Sequence, residues 1–466
     1  MLWPYAAMLM IVGLSGCAST ADWSSDTKAI EDPRAAKAQR VNLKNESVSK
    51  VYAPSSNLWI RIRDGFEMQP MNTPLEIQQV RWLSSRPDYV DRTMARASRY
   101  LFYIVQEVNA RKMPTEIALL PFVESAFVTH AKSSAKAMGL WQFMPATGKD
   151  FRLTQNVFRD ERRDVIQSTD AALDYLQRLY KQFGSWELAL AAYNWGEGNI
   201  TKAQKRNIAA GLPTDYLSLK LPNETRNYVP KLMAYRQIVL DPQAYGIVLP
   251  ELENHPYFVA VDVGADIDVA LVIKLSEIPD KEFHSLNPSF NKPVILSNAN
   301  QQILLPFGHA EIFQENLKKY TQPLSSWAAV KVTKTETVDQ AAKTLNVDAD
   351  TLREVNAIPR GMRIRAGSTV LVPKTSQSSG DISLAMAEDA SLNLVKPGAQ
   401  KCAKGAKCPV VKSAKGSTKG NSSANNAASQ HKSASTGLAK SAKNTTGNPS
   451  SPAAKVSSSQ GVGKIQ

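Results

Sequence analysis

Cysteine is nearly absent: the 466 residues hold three, Cys17 behind an N-terminal apolar run and Cys402 and Cys408 close together near the C-terminus. A disulfide between the latter two would close only a short loop and would staple nothing large. Histidine is almost as scarce, five in all and none in a His-Glu-x-x-His or similar ligand spacing, so neither a metal nor a cofactor is expected. The apolar run that ends at Cys17 is too short for a comfortable membrane span. With 43% hydrophobic and 21% charged residues, the composition is that of a globular body and not of a multi-spanning membrane protein. The net charge is +14, yet no helix-turn-helix, zinc knuckle or aromatic-plus-basic pattern accompanies it, so nucleic acid is not an expected partner. Acidic residues are missing altogether after Val395, where Ala, Ser, Gly, Asn and twelve lysines dominate. Much of the surplus charge lies there, and residues 375–466 read as a disordered basic tail.

Residues 1–17 have the short apolar core of a signal peptide, and Leu14-Ser15-Gly16-Cys17 matches the lipobox of bacterial lipoproteins, in which the cysteine is acylated after cleavage. Cys17 is therefore the expected lipidation site. Ala18 in the next position favours outer-membrane sorting, with acyl chains and no spanning helix as the anchor. Residues 18–56 are polar and aperiodic and read as a flexible tether. Residues 57–113 read as a helical N-terminal extension. Thr73-Pro74-Leu75-Glu76 is a capping box opening a helix to about Leu83. After Pro87, Val90, Met94, Ala97, Leu101, Ile104, Val105 and Val108 recur at helical spacing and predict one continuous helix.

The stretch Leu119-Leu120-Pro121-Phe122-Val123-Glu124-Ser125-Ala126-Phe127 places a lone carboxylate among apolar residues. Such surroundings penalise the charged form and raise a carboxyl pKa, which is what a general acid at neutral pH requires. Pro121 should kink or restart the helix that begins near Thr115, leaving Glu124 near its C-terminal end. Further helices are predicted over 164–183, with Ala172, Leu173, Leu176, Leu179 and Tyr180 on one face, over 186–192, and over 224–240. Glu197 is the next acid of interest, and reads as N-terminal charge on the helix that follows it.

Five pieces occur in order: Glu124-Ser125, Ala131-Lys132-Ser133, Gly139-Leu140-Trp141-Gln142-Phe143-Met144-Pro145, Ala191-Ala192-Tyr193-Asn194 and Glu224-Thr225-Arg226-Asn227-Tyr228-Val229. In these, the stretch from about Pro114 to Leu240 resembles the lytic transglycosylases with a goose-lysozyme-like catalytic domain. One departure is local: Lys136-Ala137 stands where that family usually has Gly-Ala. The resemblance implies a mainly α, lysozyme-like domain over 114–245 acting on peptidoglycan. It also implies that Glu124 protonates the β-1,4 glycosidic oxygen between N-acetylmuramic acid and N-acetylglucosamine, and then takes the proton from the muramic 6-hydroxyl. That hydroxyl closes to a 1,6-anhydro ring. By position, Ser133, Gln142, Tyr193, Asn194, Glu224 and Tyr228 are the implied substrate-binding residues, although each also has a structural reading as a hydrogen-bonding residue. A monomer in the periplasm, held to the outer membrane by its lipid and engaging glycan strands, is the implied setting.

Residues 328–374 read strand, helix, helix, strand, with Leu352-x-x-Val355-Asn356 and a closing Val370-Leu371-Val372-Pro373. This resembles a LysM module, a βααβ unit that binds N-acetylglucosamine-containing glycans, although Thr335-Glu336-Thr337 replaces the usual Gly-Asp-Thr opening. Over 255–310, Val259 to Val263, Phe283-x-x-Leu286-Asn287 and Ile303-Leu304-Leu305-Pro306 repeat the landmarks in a more degenerate copy. Two alternatives stay open at this level. One is a hydrolytic muramidase with a second carboxylate that activates water. The other is a non-catalytic peptidoglycan-binding scaffold that relies on the repeated modules.

Overall fold

A computed structural model describes residues 57–299, 302–375 and 380–396. The lipobox cysteine, the tether, the lysine-rich C-terminus and Cys402 and Cys408 all lie outside them.

The first body is helical: α1 (Leu58–Asp64), α2 (Pro74–Ser84), α3 (Pro87–Ala97), α4 (Leu101–Ala110), a 3-10 turn (Thr115–Leu119), α5 (Leu120–Glu124), α6 (Pro145–Asp150), α7 (Val165–Phe183), α8 (Trp186–Trp195), α9 (Glu197–Ala209) and α10 (Asn223–Leu240). Local chemistry sets several ends. The Thr73 hydroxyl accepts from the Glu76 N–H, while the Glu76 carboxylate accepts from Asn72 N–H at 2.8 Å, one residue earlier than a strict capping box. Asp164 caps α7 through the N–H groups of Ile166 and Gln167, and Gly184, at φ +69°, ends it in the left-handed region.

Two helical expectations need correction. The single helix expected over 87–108 is broken at Ser98–Tyr100 into α3 and α4. There the Arg99 guanidinium forks onto the Glu282 carboxylate, both bonds at 2.7 Å, and the Tyr100 hydroxyl donates to Ser285 O at 2.8 Å. Long-range partners outweigh helical periodicity at that point. Tyr180 was expected on the buried face of α7, but it lies at the rim, stacked on Trp186 with ring centres 4.3 Å apart.

The helices of 57–113 share one core with those of 114–245. Helix α2 packs along α10, and α1 is tied to the far end of the body, with Trp59 Nε1 donating to Pro250 O and Leu58 N to Leu252 O. Helix α5 with its 3-10 prelude lies between α4 and α10, at the centre of this core.

Two small βααβ units follow. In the first, β1 (Phe258–Asp262) pairs antiparallel with β4 (Gln302–Pro306) and β2 (Ile267–Asp268) with β3 (Val294–Ile295), enclosing α11 (Val269–Ser276) and α12 (Asp280–Leu286). Helix α13 (Phe307–Lys319) then packs back on α11, carrying this unit beyond the expected end at 310. In the second, β5 (Trp327–Lys331) pairs antiparallel with β8 (Thr369–Pro373) and β6 (Glu336–Thr337) with β7 (Arg363–Ile364), around α14 (Val338–Leu345) and α15 (Ala349–Val355).

The repeat reaches individual atoms. Asn287 donates to Phe283 O and Leu304 O and accepts from Leu304 N. Asn356 donates to Leu352 O and Leu371 O and accepts from Leu371 N in the same way. In each unit this buried amide sews the end of the second helix to the closing strand, which satisfies backbone groups that burial would otherwise leave unpaired.

Part of the tail expected from residue 375 is folded. Residues 380–396 carry a further helix, α16 (Leu384–Glu388), and a strand, β9 (Leu394–Val395), that pairs with β7. Ile382, Ala387 and Ala390 are buried with Phe158 of the first body, Val294 and Leu296 of the first unit and Leu371 of the second. Three apolar residues without helical or alternating spacing leave little periodic signal, yet they seal a junction of three bodies. Among the described residues no helix is long and apolar enough to cross a membrane.

Candidate active site

Pro121 restarts the chain as α5 after the 3-10 turn, since its ring removes a backbone donor that the first turn of a helix does not need. The helix, only five residues long, stops at Glu124, and Ala126 and Phe127 both adopt positive φ, at 50° and 58°. This abrupt end presents Glu124 at the edge of the core, half-buried, above the fully buried Phe122 and Phe127, whose rings meet edge-on at 4.6 Å.

The Glu124 carboxyl is pushed up to about 7. Burial is the main cause. A bond from the Tyr228 hydroxyl to Oε1 opposes it, the negative charge of Glu224 reinforces it, and Lys231 works the other way. Tyr193 sits in the same field: burial and then the Glu124 charge push its phenol well above its ordinary value, so it stays a neutral donor. That donor is used on Trp141 O at 2.8 Å, and its ring leans on Tyr175 at 5.3 Å.

The segment Ala131–Pro145 is bonded to α8 and to the end of α5. Ser125, next to the acid, donates to Leu140 O at 3.0 Å, and Tyr193 holds the following carbonyl. Trp141 is fully buried and donates from Nε1 to Thr169 Oγ1 at 2.9 Å. Gln142 adopts φ 50° and spends its side-chain amide N–H on Gly139 O at 2.8 Å and Ala131 O at 3.4 Å. Gly139 has φ +83°, and a Cβ there would lie 2.0 Å from Arg162 O, so only glycine allows this close approach.

Lys136, at the family's glycine position, has φ 68°. The left-handed turn is therefore kept without glycine. Its N–H donates to Ser133 O at 3.0 Å, and its own carbonyl accepts from Arg162 Nη1 at 2.9 Å.

The structure divides the sequence-selected residues into three kinds. Tyr228 touches the acid, Glu224 acts on it through its negative charge, and Tyr193 in turn feels the charge of Glu124. Gln142 is held by Gly139 O on its own loop, and Asn194 on α8 by Thr225, whose Oγ1 donates to it at 2.8 Å. Ser133 serves its own loop, its hydroxyl accepting from Ala137 N at 3.0 Å. Glu197 lies in the first turn of α9 and pairs with Arg178 at 2.9 Å on an exposed surface. A buried carboxylate that sequence reasoning passed over is Glu116, also flanked by apolar residues. It accepts from the N–H groups of Glu67 and Met68 and from Arg236 Nε at 3.0 Å, a set of partners that marks it as structural. Among the described residues no cluster of His, Cys, Asp and Glu is arranged to hold a metal ion.

The family described as the transglycosylase SLT domain matches residues 103–211, and that described as the lytic transglycosylase MltD, LysM-like domain, matches residues 257–322. The second match falls on the copy that sequence landmarks rank as the more degenerate. Among curated proteins, the membrane-bound lytic murein transglycosylase D of Escherichia coli (strain K12) is 32% identical over 383 residues, 79% of this chain and 84% of that protein. An Alteromonas protein (strain M-1) named for tributyltin chloride resistance is 44% identical over 128 residues, 27% of this chain and 58% of that one. Among solved structures, the 70 kDa soluble lytic transglycosylase of Escherichia coli aligns at 23% identity over 36% of this chain and 31% of that chain, with a TM-score of 0.25. With the five motifs assembled around one enclosed carboxyl and the curated relative matched along most of its length, the chain belongs to the membrane-bound lytic murein transglycosylase D family.

Proposed function

We propose that this chain is a peptidoglycan lytic transglycosylase in which Glu124 serves as both general acid and general base. The observation that carries the assignment is the Glu124 carboxyl, raised to about 7 by burial and bonded by Tyr228. At neutral pH such a group is divided between its two forms, so it can donate a proton and then accept one.

Protonated Glu124 delivers its proton to the glycosidic oxygen as the bond from muramic C1 breaks. The substrate's 2-acetamido group stabilises the oxocarbenium-like centre. The carboxylate, steadied by the Tyr228 hydroxyl, then takes the proton of the muramic 6-hydroxyl as that oxygen bonds to C1. The leaving sugar gains one proton, the anhydro ring loses one, and Glu124 returns to its starting form without water entering. The hydrolytic alternative needs a second carboxylate to activate water. Glu116 is engaged with Arg236 and two backbone N–H groups, and Glu197 with Arg178, which disfavours both for that task.

Gln142, Tyr193 and Asn194 line the sugar subsites from the loop and α8, Glu224 contributes charge from the start of α10, and Ser133 shapes the loop that bounds the cleft. The two βααβ units hold glycan while the helical body cuts. The chain acts as a monomer that Cys17 anchors by acylation to the outer membrane, facing the periplasm. Mass analysis of products from purified peptidoglycan tests the assignment. Fragments ending in 1,6-anhydro-muramic acid, one water lighter than reducing ends, are expected, and reducing ends alone would turn the enzyme into a muramidase.

A further inference from the structure

The run Asp160-Glu161-Arg162-Arg163-Asp164 holds an ion pair with no contact to the acid, yet its bonds end on the loop that frames it. Arg162 and Asp160 are both buried, at 7% and 8% exposure. The guanidinium meets the carboxylate through two bonds, Nε to Oδ1 at 2.9 Å and Nη2 to Oδ2 at 2.7 Å. Its remaining terminal nitrogen, Nη1, donates to Lys136 O at 2.9 Å and Phe143 O at 3.3 Å. Those carbonyls bracket the segment 137–142. Within the bracket, Leu140 O receives Ser125, the neighbour of Glu124, and Trp141 O receives Tyr193. The approach of Gly139 to Arg162 O closes the same bracket from the other side.

We propose that Arg162, aimed by Asp160, is a positioning residue for the cleavage reaction: a two-carbonyl clamp that fixes the Gly139–Gln142 loop and, through Leu140 O and Trp141 O, the placement of Ser125 and Tyr193 about Glu124. This rests on the assignment of Glu124 as the acid. The planar fork is the reason for arginine. It satisfies a bidentate carboxylate and still reaches both loop carbonyls, which a lysine ammonium, a single point of charge on a flexible stem, cannot do from one place. The clamp is also tied to the first βααβ unit, since Asp160 N donates to Ser289 O at 2.9 Å.

The test uses the full chain with Arg162→Lys and Asp160→Asn, each compared with wild type per folded molecule, the folded fraction being measured by thermal melting. Arg162→Lys is expected to lower kcat by about 100-fold, the scale of a small misplacement of reacting groups, with KM nearly unchanged. The pH at which the basic limb of the rate profile falls should also move, because a displaced loop changes the burial that raises the Glu124 carboxyl. Asp160→Asn keeps the shape of the carboxylate without its charge, and should shift kcat and the basic limb in the same direction by less. A wild-type kcat and pH profile per folded molecule in Arg162→Lys would overturn the clamp, as would a loss of activity that only follows loss of folded protein. If Arg162→Lys does not fold, Asp160→Asn decides by the same criteria. Glu124→Gln, assayed alongside, separates the two readings: activity surviving there refutes the acid itself, whereas an inactive Glu124→Gln beside an unimpaired Arg162→Lys refutes only the clamp.

Discussion

The Tyr228 hydroxyl donates to Oε1 of Glu124 across 104 residues of sequence, joining the second turn of α10 to the last residue of α5. The bond sets two opposing effects on one carboxyl. Burial favours the protonated acid, while the phenol favours the carboxylate, and the net result lies near neutrality. An acid that must also act as base needs that balance, because too strong a shift either way would disable one half of the reaction.

Glu124→Gln should release almost no glycan fragments, a loss of about 10⁴-fold or more, since general acid catalysis alone contributes about 10²–10⁴ and the same group is also the base. Its stability should change in the opposite sense. The native carboxyl binds its proton more tightly than the unfolded one, so wild type loses stability as pH rises from the ordinary carboxyl value of 4.5 through about 7, while the glutamine variant does not. Above pH 7 the variant is expected to be more stable by roughly 3 kcal/mol, with the difference vanishing near pH 4. Melting curves at the two pH values check this. Equal behaviour at both would show that the carboxyl is not held in its protonated form.

Tyr228→Phe removes the one bond that lowers the Glu124 pKa and keeps the ring. The basic limb of the pH–rate profile should then move to higher pH, with a reduced maximum because the carboxylate loses its donor. A limb that moves to lower pH would mean that water replaces the phenol and that burial is not the main cause of the shift.

Lys136→Gly should stabilise the protein. A side chain in the left-handed region costs roughly 1–2 kcal/mol, and the greater freedom of glycine in the unfolded chain takes back about 0.4–1 kcal/mol of that. A net gain of up to about 1.6 kcal/mol is expected by denaturant titration, with activity unchanged. A loss of stability would mean that the Lys136 side chain makes contacts worth more than the backbone strain.

Asn287→Ala and Asn356→Ala should each loosen one βααβ unit, because the change leaves a buried strand N–H and carbonyl unpaired at about 1–3 kcal/mol per group. Hydrogen exchange should quicken at Leu304 N–H in the first variant and at Leu371 N–H in the second. Glu197→Gln is the contrasting case. It removes only an exposed ion pair with Arg178, and activity and melting should stay near wild type.

Cys17→Ala should leave the protein unlipidated and send it to the soluble fraction after lysis. The basis is the tetrapeptide Leu14-Ser15-Gly16-Cys17 behind an apolar core too short to span a bilayer. Unchanged fractionation with membranes would point to a different anchor.

The features legible in the sequence were those written in local chemistry. Pro121 restarts a helix because proline lacks an N–H, Asp164 and Thr73 cap helices because their oxygens reach the first free amides, and the short continuous apolar run Val370-Leu371-Val372-Pro373 makes a buried strand. The apolar flanks of Glu124 similarly announced a perturbed acid, because nearest neighbours in a short helix are also its neighbours in space. Long-range partners decided the rest. Nothing local to Ser98 predicts a helix break; Arg99 and Tyr100 find Glu282 and Ser285 there. Nothing local to Glu116 separates it from Glu124, since both are glutamates among apolar residues. Burial raises both carboxyls, but Glu116 is taken up by Arg236 and two backbone amides while Glu124 meets a tyrosine hydroxyl, and that difference in partners makes the first structural and the second an acid poised near pH 7. Residues 380–396 follow the same logic, because burial against three separate bodies is set by where those bodies meet and leaves no period in the chain itself.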